Sequence, residues 1–303
     1  MSQEPVVILA GGTGGAKLAR GMLDVVGEDL VVIANTGDDI ELYGAYVSPD
    51  PDLITFWLAD RIDARGWGLR DDTFQVMDGL RELGVDVWFN LGDKDLAIGL
   101  ERARRLDEGE TLTEAQQAIS DALKVPARIL PMADQPVRTR VLAGERWWPL
   151  QEFLIRQCGQ GEVRDVDFRG RGAARPTPGV LEAVETARAI IIGPSNPAIS
   201  IGPILTVPGM AEAIQASRAP TVAVSPIVNG AILKGPTEAF MRWRGQPLDA
   251  AGVAAMYAPL LDGIVATEPA PELPTLETDT LMDTPDRRRR LAERALSFAL
   301  DLA

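Results

Sequence analysis

No stretch constrains this chain more than Val6 to Lys17, which reads Val-Val-Ile-Leu-Ala-Gly-Gly-Thr-Gly-Gly-Ala-Lys. A short apolar run suits a buried strand, while Gly11, Gly12, Gly14 and Gly15 around Thr13 permit backbone torsions that a β-carbon forbids. Beyond them Leu18, Ala19, Met22, Leu23 and Val26 recur at helical spacing and predict a helix from Ala16 to Val25. A strand, a glycine turn and a helix N-terminus aim free N–H groups and the positive end of the helix dipole at one point, so an anion is favoured there. The pattern is neither Gly-x-Gly-x-x-Gly nor a P-loop, because Lys17 follows Gly15 by two positions and no Ser or Thr comes after it. A phosphate-binding turn is the expectation, and a plain joint between strand and helix is its alternative.

Leu30 to Asn35 reads as a second buried strand, one helix after the first. That order is the right-handed parallel crossover, which brings Asn35 to the same carboxyl edge as the glycine turn, where open α/β sheets bind ligands. The loops that follow carry Asp38, Asp39, Asp50 and Asp52 in close succession. Like charges this dense call for a cation or for solvent, so a metal site and a solvated acidic loop are both open. Histidine is absent from the chain, and a catalytic metal must then sit on oxygen ligands, which favours Mg²⁺. For the same reason a proton released in a reaction must pass to a carboxylate, to water or to substrate, with Asp38 and Asp39 as the side-chain candidates.

A helix is expected over Ile54 to Ile62, then a turn-rich segment Arg65-Gly66-Trp67-Gly68-Leu69-Arg70-Asp71-Asp72-Thr73. Trp67 and Arg70 can clamp a flat ring or a phosphate there, and Asp71 or Asp72 can cap a helix from Phe74 to Leu83. Val85 to Asn90 reads as a strand leading through Asp93, Lys94 and Asp95 into a helix from Leu96 to Leu106; Asp93 serves either the binding edge or a helix cap. A helix over Thr113 to Leu123, strands at Ala127 to Leu130 and Val137 to Leu142, and an aromatic patch from Trp147 to Ile155 come next. Gly159 to Pro178, rich in glycine and arginine, reads as a flexible connection or insertion.

Order returns with a helix at Val180 to Ala187 and the strand Ala189 to Ile192. Its following loop holds Ser195, Asn196 and Ser200, which offer hydroxyl and amide hydrogen bonds. A helix over Gly209 to Ser217 and the strand Thr221 to Val224 end in a third such loop, with Ser225 and the basic Lys234. Helices at Pro236 to Trp243 and Asp249 to Tyr257, a strand at Gly263 to Ala266, an unpatterned stretch from Leu276 to Met282 and a last helix over Asp286 to Leu302 complete the chain. The fold class expected is α/β, a Rossmann-like mostly parallel sheet with helices on both faces and additional helical and short-strand insertions. It forms one domain over 1–303, with the insertion region at about 93–178 and the final helix at 286–302.

Thirty basic against forty-four acidic side chains leave a net charge of -14, which argues against nucleic acid as a partner. One cysteine, Cys158, excludes an internal disulfide or a thiolate zinc site and suits a reducing cytoplasm. Neither a signal-peptide pattern nor a membrane-length apolar run is present, so no membrane association is expected.

Taken in order, these loops resemble the 2-phospho-L-lactate transferase (CofD) family of coenzyme F-420 biosynthesis. The matching pieces are Leu9 to Lys17, Asn35-Thr36-Gly37-Asp38-Asp39, Ser48-Pro49-Asp50, Arg65 to Asp71, Leu91 to Ala97, Pro194-Ser195-Asn196-Pro197, Val207-Pro208-Gly209 and Val224-Ser225-Pro226-Ile227. The resemblance implies an Mg²⁺-dependent transfer in which the ribityl hydroxyl of the deazaflavin Fo attacks a guanylylated phospho-acid and expels GMP. It further implies a homodimer, Mg²⁺ on Asp38 and Asp50, the diphosphate on the glycine turn with Ser195, Asn196, Ser225 and Lys234, and Fo or the acid near Asn35, Trp67, Arg70, Asp93 and Lys94. This chain departs from the family pattern at Leu53, Lys94 and Ile98-Gly99, where Thr, Arg and Thr-His are expected. The acid carried is phospholactate, phosphoenolpyruvate or phosphoglycerate. Two other classes remain in view: a nucleotide-sugar-binding regulator of the YvcK-like type, and a dinucleotide oxidoreductase, disfavoured for want of the proper glycine fingerprint.

Overall fold

The computed structural model describes residues 4–233 and 235–303, so Lys234, expected at the anion site, lies outside the described residues. The chain opens with β1 (Val6–Ala10), α1 (Gly12–Val26) and β2 (Leu30–Ala34), and both strands are buried at every position. A hairpin of β3 (Ile40–Leu42) and β4 (Ala45–Val47) leads into α2 (Pro49–Leu58). Next come α3 (Gln75–Glu82), α4 (Asp93–Asp107), α5 (Leu112–Ala122) and β5 (Arg128–Pro131). A second, antiparallel sheet in the order β7-β6-β8 is made by β6 (Arg138–Ala143), β7 (Arg146–Pro149) and β8 (Val163–Arg169), with α6 (Leu150–Ile155) between the last two.

The second half alternates more regularly. After α7 (Pro178–Glu185) and β9 (Ala189–Ile192) the chain makes a wide π turn at Pro197–Ile201, then α8 (Gly202–Leu205), α9 (Met210–Ala216) and β10 (Thr221–Val224). A short hairpin, β11 (Ile227–Val228) with β12 (Ala231–Ile232), precedes α10 (Thr237–Trp243) and α11 (Ala250–Tyr257). Last are β13 (Gly263–Ala266), β14 (Thr275–Glu277) and α12 (Pro285–Asp301).

Seven of the strands form one sheet in the order β14-β13-β10-β9-β1-β2-β5, with every pairing parallel. The chain builds outward from β1 through β2 to β5, then crosses to the other side of β1 and builds outward again from β9. That reversal lies between β1 and β9, and in open parallel sheets it opens a crevice at the strands' carboxyl ends. Because successive side chains of a strand point to opposite faces, Val6, Ile8 and Ala10 join one core with α1, α2 and α12, and Val7 and Leu9 join another with α7, α9 and α11. Each fully buried Val, Leu or Ile contributes about 1.5–3 kcal/mol, so the central strands anchor the crevice firmly. Helix α12 packs so closely on α1 that a β-carbon on Gly21 would lie 2.3 Å from the Arg288 carbonyl oxygen.

The mostly parallel α/β sheet with helices on both faces is as expected, but several elements differ from the sequence reading. Helix α1 begins at Gly12 and not Ala16, so most of the glycine turn is its first turn. Helix α2 begins at Pro49, which puts Asp50 and Asp52 in a helical first turn where a loop was expected. Proline fixes φ for the first helical position and carboxylates suit the positive end of the dipole, so this start is locally favoured. Val85 to Asn90 is not a strand: Val85 is exposed and no neighbouring strand offers a ladder. Conversely, the polar 159–178 segment contains β8, an edge strand largely facing solvent, and the unpatterned stretch contains β14, another edge strand.

Candidate active site

At the end of β1 the backbone enters the crevice through Gly11, in extended conformation, and Gly12, at φ +60°. The glycines divide by what surrounds them. A β-carbon on Gly14 would lie 1.9 Å from the Pro194 carbonyl oxygen, and one on Gly15 would lie 2.7 Å from the Ser195 hydroxyl, so both are small to let the loop after β9 press against α1. A β-carbon on Gly11 would meet Asp50 Oδ2 at 2.7 Å and Ser200 Cβ at 2.8 Å. Of the four, only Gly12 leaves room for a β-carbon, which would meet Ser200 Oγ at an ordinary contact distance of 3.8 Å. The first-turn amides of a helix have no intrahelical acceptor, and Gly12 N–H donates to Asp50 Oδ1 at 2.6 Å. The amide that was expected to meet a phosphate thus already holds a carboxylate.

That carboxylate belongs to a compact polar group. The Asn35 side-chain amide donates to Asp38 Oδ1 and to Asp50 Oδ2, both at 2.8 Å, while its own oxygen accepts from Gly37 N–H at 2.8 Å. Gln151 of α6 donates to the second oxygen of Asp38 at 3.3 Å. Both aspartates are buried, at 8% and 4% exposure. Burial pushes Asp50 up to about 6 against the help of Asn35 and Gly12. It pushes Asp38 well above the usual carboxylate range, with repulsion from Asp50 adding to the effect. Two buried carboxylates bridged by one amide offer oxygen donors of the kind that a hard cation takes. Among the described residues no group of three His, Cys, Asp or Glu side chains could by itself hold a metal ion.

Both aspartates open onto a cavity of about 460 Å³. Its lining combines polar groups, at Gly11, Gly12, Thr13, Gly14, Lys17, Ser195, Asn196 and Ser200, with an apolar wall of Leu154, Val228, Ile232, Leu281 and Met282. Asn196 is partly committed, since its oxygen caps the π turn by accepting from Ala198 and Ile199 N–H at 2.9 and 3.2 Å, and its amide nitrogen donates to Thr237 Oγ at 3.3 Å. Ser225 also lines the cavity, and its hydroxyl accepts from Ile227 N–H at 3.2 Å.

Other expected residues stand outside this wall. Asp39 accepts from Ser48 Oγ at 2.7 Å and from the Tyr46 hydroxyl at 3.0 Å, and burial pushes it up to about 7. Asp93 and Asp72 cap each other's helices: Asp93 accepts from Thr73 Oγ and from Gln75 and Val76 N–H at the start of α3, and Asp72 accepts from Lys94 and Asp95 N–H at the start of α4. The expected cap of α3 by Asp71 or Asp72 is therefore replaced by Asp93, twenty residues away in sequence from Thr73. Lys94 Nζ donates to the backbone oxygens of Arg70 and Asp71, at 3.3 and 2.6 Å, and Arg70 donates to the Asp60 carbonyl. Trp67 is exposed, with the Arg65 guanidinium 4.3 Å from its ring centroid. These groups hold the turn 65–73 together beside α3 and α4. The sequence reading missed Gln151, which belongs to no motif, and the wall at residues 280–282, whose stretch shows no periodicity.

A family model described as 2-phospho-L-lactate transferase CofD matches residues 6–288. The chain belongs to the CofD family. A relative named 2-phospho-L-lactate transferase from Methanosarcina mazei is 38% identical over 299 residues, covering 95% of this chain and 98% of the relative. One named phosphoenolpyruvate transferase, from Kitasatospora aureofaciens, is 40% identical over 267 residues, covering 85% of this chain and 83% of that one. In fold, the chain is similar to a solved protein member of the UPF0052 family from Bacillus halodurans, with TM-score 0.67, 16% identity, and coverage of 98% and 99%. The CofD membership makes this chain a transferase of F-420 biosynthesis, and the cavity beside β1 and β9 gathers part of the motifs named above, those at the glycine turn, Asp38, Asp50, Pro194 to Asn196 and Ser225-Pro226. No single helix among the described residues is long and apolar enough to cross a membrane.

Proposed function

We propose that the chain transfers a phospho-acid from its guanosine diphosphate adduct to the terminal ribityl hydroxyl of Fo. The hydroxyl oxygen forms a bond to the phosphorus that bears the acid, the bond from that phosphorus to the bridging oxygen breaks, and GMP leaves with the oxygen. The hydroxyl proton passes to Asp38 or to water. The observation that carries this reading is the Asn35-bridged pair Asp38 and Asp50 beside Gly12 in one cavity.

Displacement at phosphorus asks a protein mainly for in-line positioning and charge neutralisation. Mg²⁺ on Asp38 and Asp50 would neutralise charge on the diphosphate. Asn35 and Gln151 orient the two carboxylates, and the apolar wall offers a surface for a flat ring and excludes water from it. Asp38 lines the cavity and is the side chain placed to accept that proton. Asp39 fits this role less well, since it does not line the cavity and is held by Tyr46 and Ser48 instead.

The relatives' names, lactate-type and phosphoenolpyruvate-type, support a three-carbon phospho-acid. The test presents the phospholactyl, phosphoenolpyruvyl and phosphoglyceryl adducts of guanosine diphosphate together with Fo and Mg²⁺, and reads GMP release and the mass of the deazaflavin product. A new deazaflavin phosphodiester is expected. Asp50→Ala is expected to abolish it while the protein stays folded; normal turnover in that variant removes Asp50 from the site.

A further inference from the structure

Ser200 is a further polar side chain of the same cavity. The π turn at Pro197–Ile201 is closed by Ser200 and Ile201 N–H donating to the Asn196 carbonyl at 3.0 and 3.1 Å. Such widened turns recur at functional sites because they present a side chain that a regular helix would rotate away. Here the turn brings Ser200 against the start of α1, where Gly11 and Gly12 have no side chain to obstruct it. Ser200 is 8% exposed and lines the cavity, and its hydroxyl makes no hydrogen bond to any described residue. Open to the cavity and free of a protein partner, this hydroxyl is available to donate to a ligand seated there.

The geometry points to Ser200 as a phosphoryl-binding residue, its hydroxyl donating to a non-bridging oxygen of the diphosphate held beside Gly12. A neutral donor suits this position, because it meets phosphoryl oxygens without drawing Asp50 into a competing ion pair. The hydroxyl grips more firmly as negative charge gathers on the transferred group, so it favours the transition state over the bound donor. This inference rests on the transferase reading given above.

The experiment compares wild type with Ser200→Ala in two assays, steady-state GMP release and calorimetric binding of guanosine diphosphate with Mg²⁺. Removing a small hydroxyl leaves packing nearly intact, and a melting temperature close to wild type checks that. The expected result is a fall in kcat of about tenfold or more, with KM for the adduct changed less than about threefold and binding of guanosine diphosphate weakened. Equal kcat and equal binding in the two proteins overturn the inference. A wild type that releases no GMP from any adduct refutes the transferase reading instead, and the binding comparison then decides the role of Ser200 by itself.

Discussion

Helix α2 carries Asp50 in its first turn, and two residues on it carries Asp52, which is tied down by a fully buried arginine. Arg102 of α4 donates to both oxygens of Asp52, to the Tyr46 carbonyl at 3.1 Å and to Gln116 at 3.3 Å. Gln116 in turn donates to Thr55 and Ser120 at 3.0 and 3.1 Å, which links α2, α4 and α5. Replacing Arg102 with methionine keeps most of the volume but strips Asp52 of its counter-ion, with only the distant Ser48 N–H, at 3.4 Å, still donating to it. Removing one partner of a buried pair costs about 3–5 kcal/mol. In a chain of this size that is a fall in melting temperature on the order of 10 °C. Adding Asp52→Leu to Arg102→Met removes the stranded charge and is expected to recover at least half of the loss. Urea unfolding of the four proteins in this cycle supplies the numbers. A loss below about 1 kcal/mol for Arg102→Met, or a double variant no more stable than that single one, refutes the reasoning.

The glycines give a second prediction: Gly14→Ala drives a β-carbon into the Pro194 carbonyl and should unfold or severely destabilise the protein. Gly12→Ala meets only the Ser200 hydroxyl, at ordinary contact distance, and should cost about 1–2 kcal/mol for its positive φ, as thermal melts of the two variants will read. Stability should also depend on pH with an uncommon sign. Burial raises the folded-state pKa of Asp39 to about 7 and of Asp50 to about 6, so the folded chain retains protons that the unfolded chain releases. The stability from these groups is complete below about pH 4 and is lost as pH climbs through about 7. In Mg²⁺-free buffer the unfolding free energy should therefore decline from about pH 5 to about pH 8, and Asp39→Asn should flatten the decline; an equal slope in that variant contradicts the assignment. Finally, Asp93→Ala should cost about 1 kcal/mol as a lost helix cap and leave KM for Fo within about twofold; a large rise in KM at unchanged stability would restore Asp93 to the acceptor site.

The sheet was legible because its strands are buried on both faces and read as unbroken apolar runs, as at Val6–Ala10, Leu30–Ala34 and Ala189–Ile192. The edge strands β8 and β14 were not, since each keeps one side toward solvent or loops and carries no such run, whereas the edge strand β5 was expected at Ala127 to Leu130. Pattern reading gathered the cavity's nearby pieces, Gly12, Asp38, Asp50, Ser195 and Asn196, because each lies at the end of a recognisable strand or in a recognisable motif. It placed Asp93 with them as well, and the structure separates Asp93 into a capping exchange with Asp72. An acidic residue before a helix looks the same in sequence whether it caps its own helix, caps a neighbour or meets a ligand; only the partner across space distinguishes these.

The glycine turn lies where the sequence places it, at the end of β1, but its glycines serve different neighbours. Sequence alone makes each glycine a possible approach for phosphate, yet Gly14 and Gly15 are small because another loop of the protein needs their space. That loop ends in the π turn that holds Ser200, so the packing of α1 against the segment after β9 also sets the position of a hydroxyl in the cavity. A substitution at Gly14 or Gly15 would thus disturb the site by moving Pro194 and Ser195, without touching a ligand. Loss of activity in such a variant is no evidence for a phosphate contact at that glycine, and at Gly12 it can equally come from Asp50, which the Gly12 N–H holds.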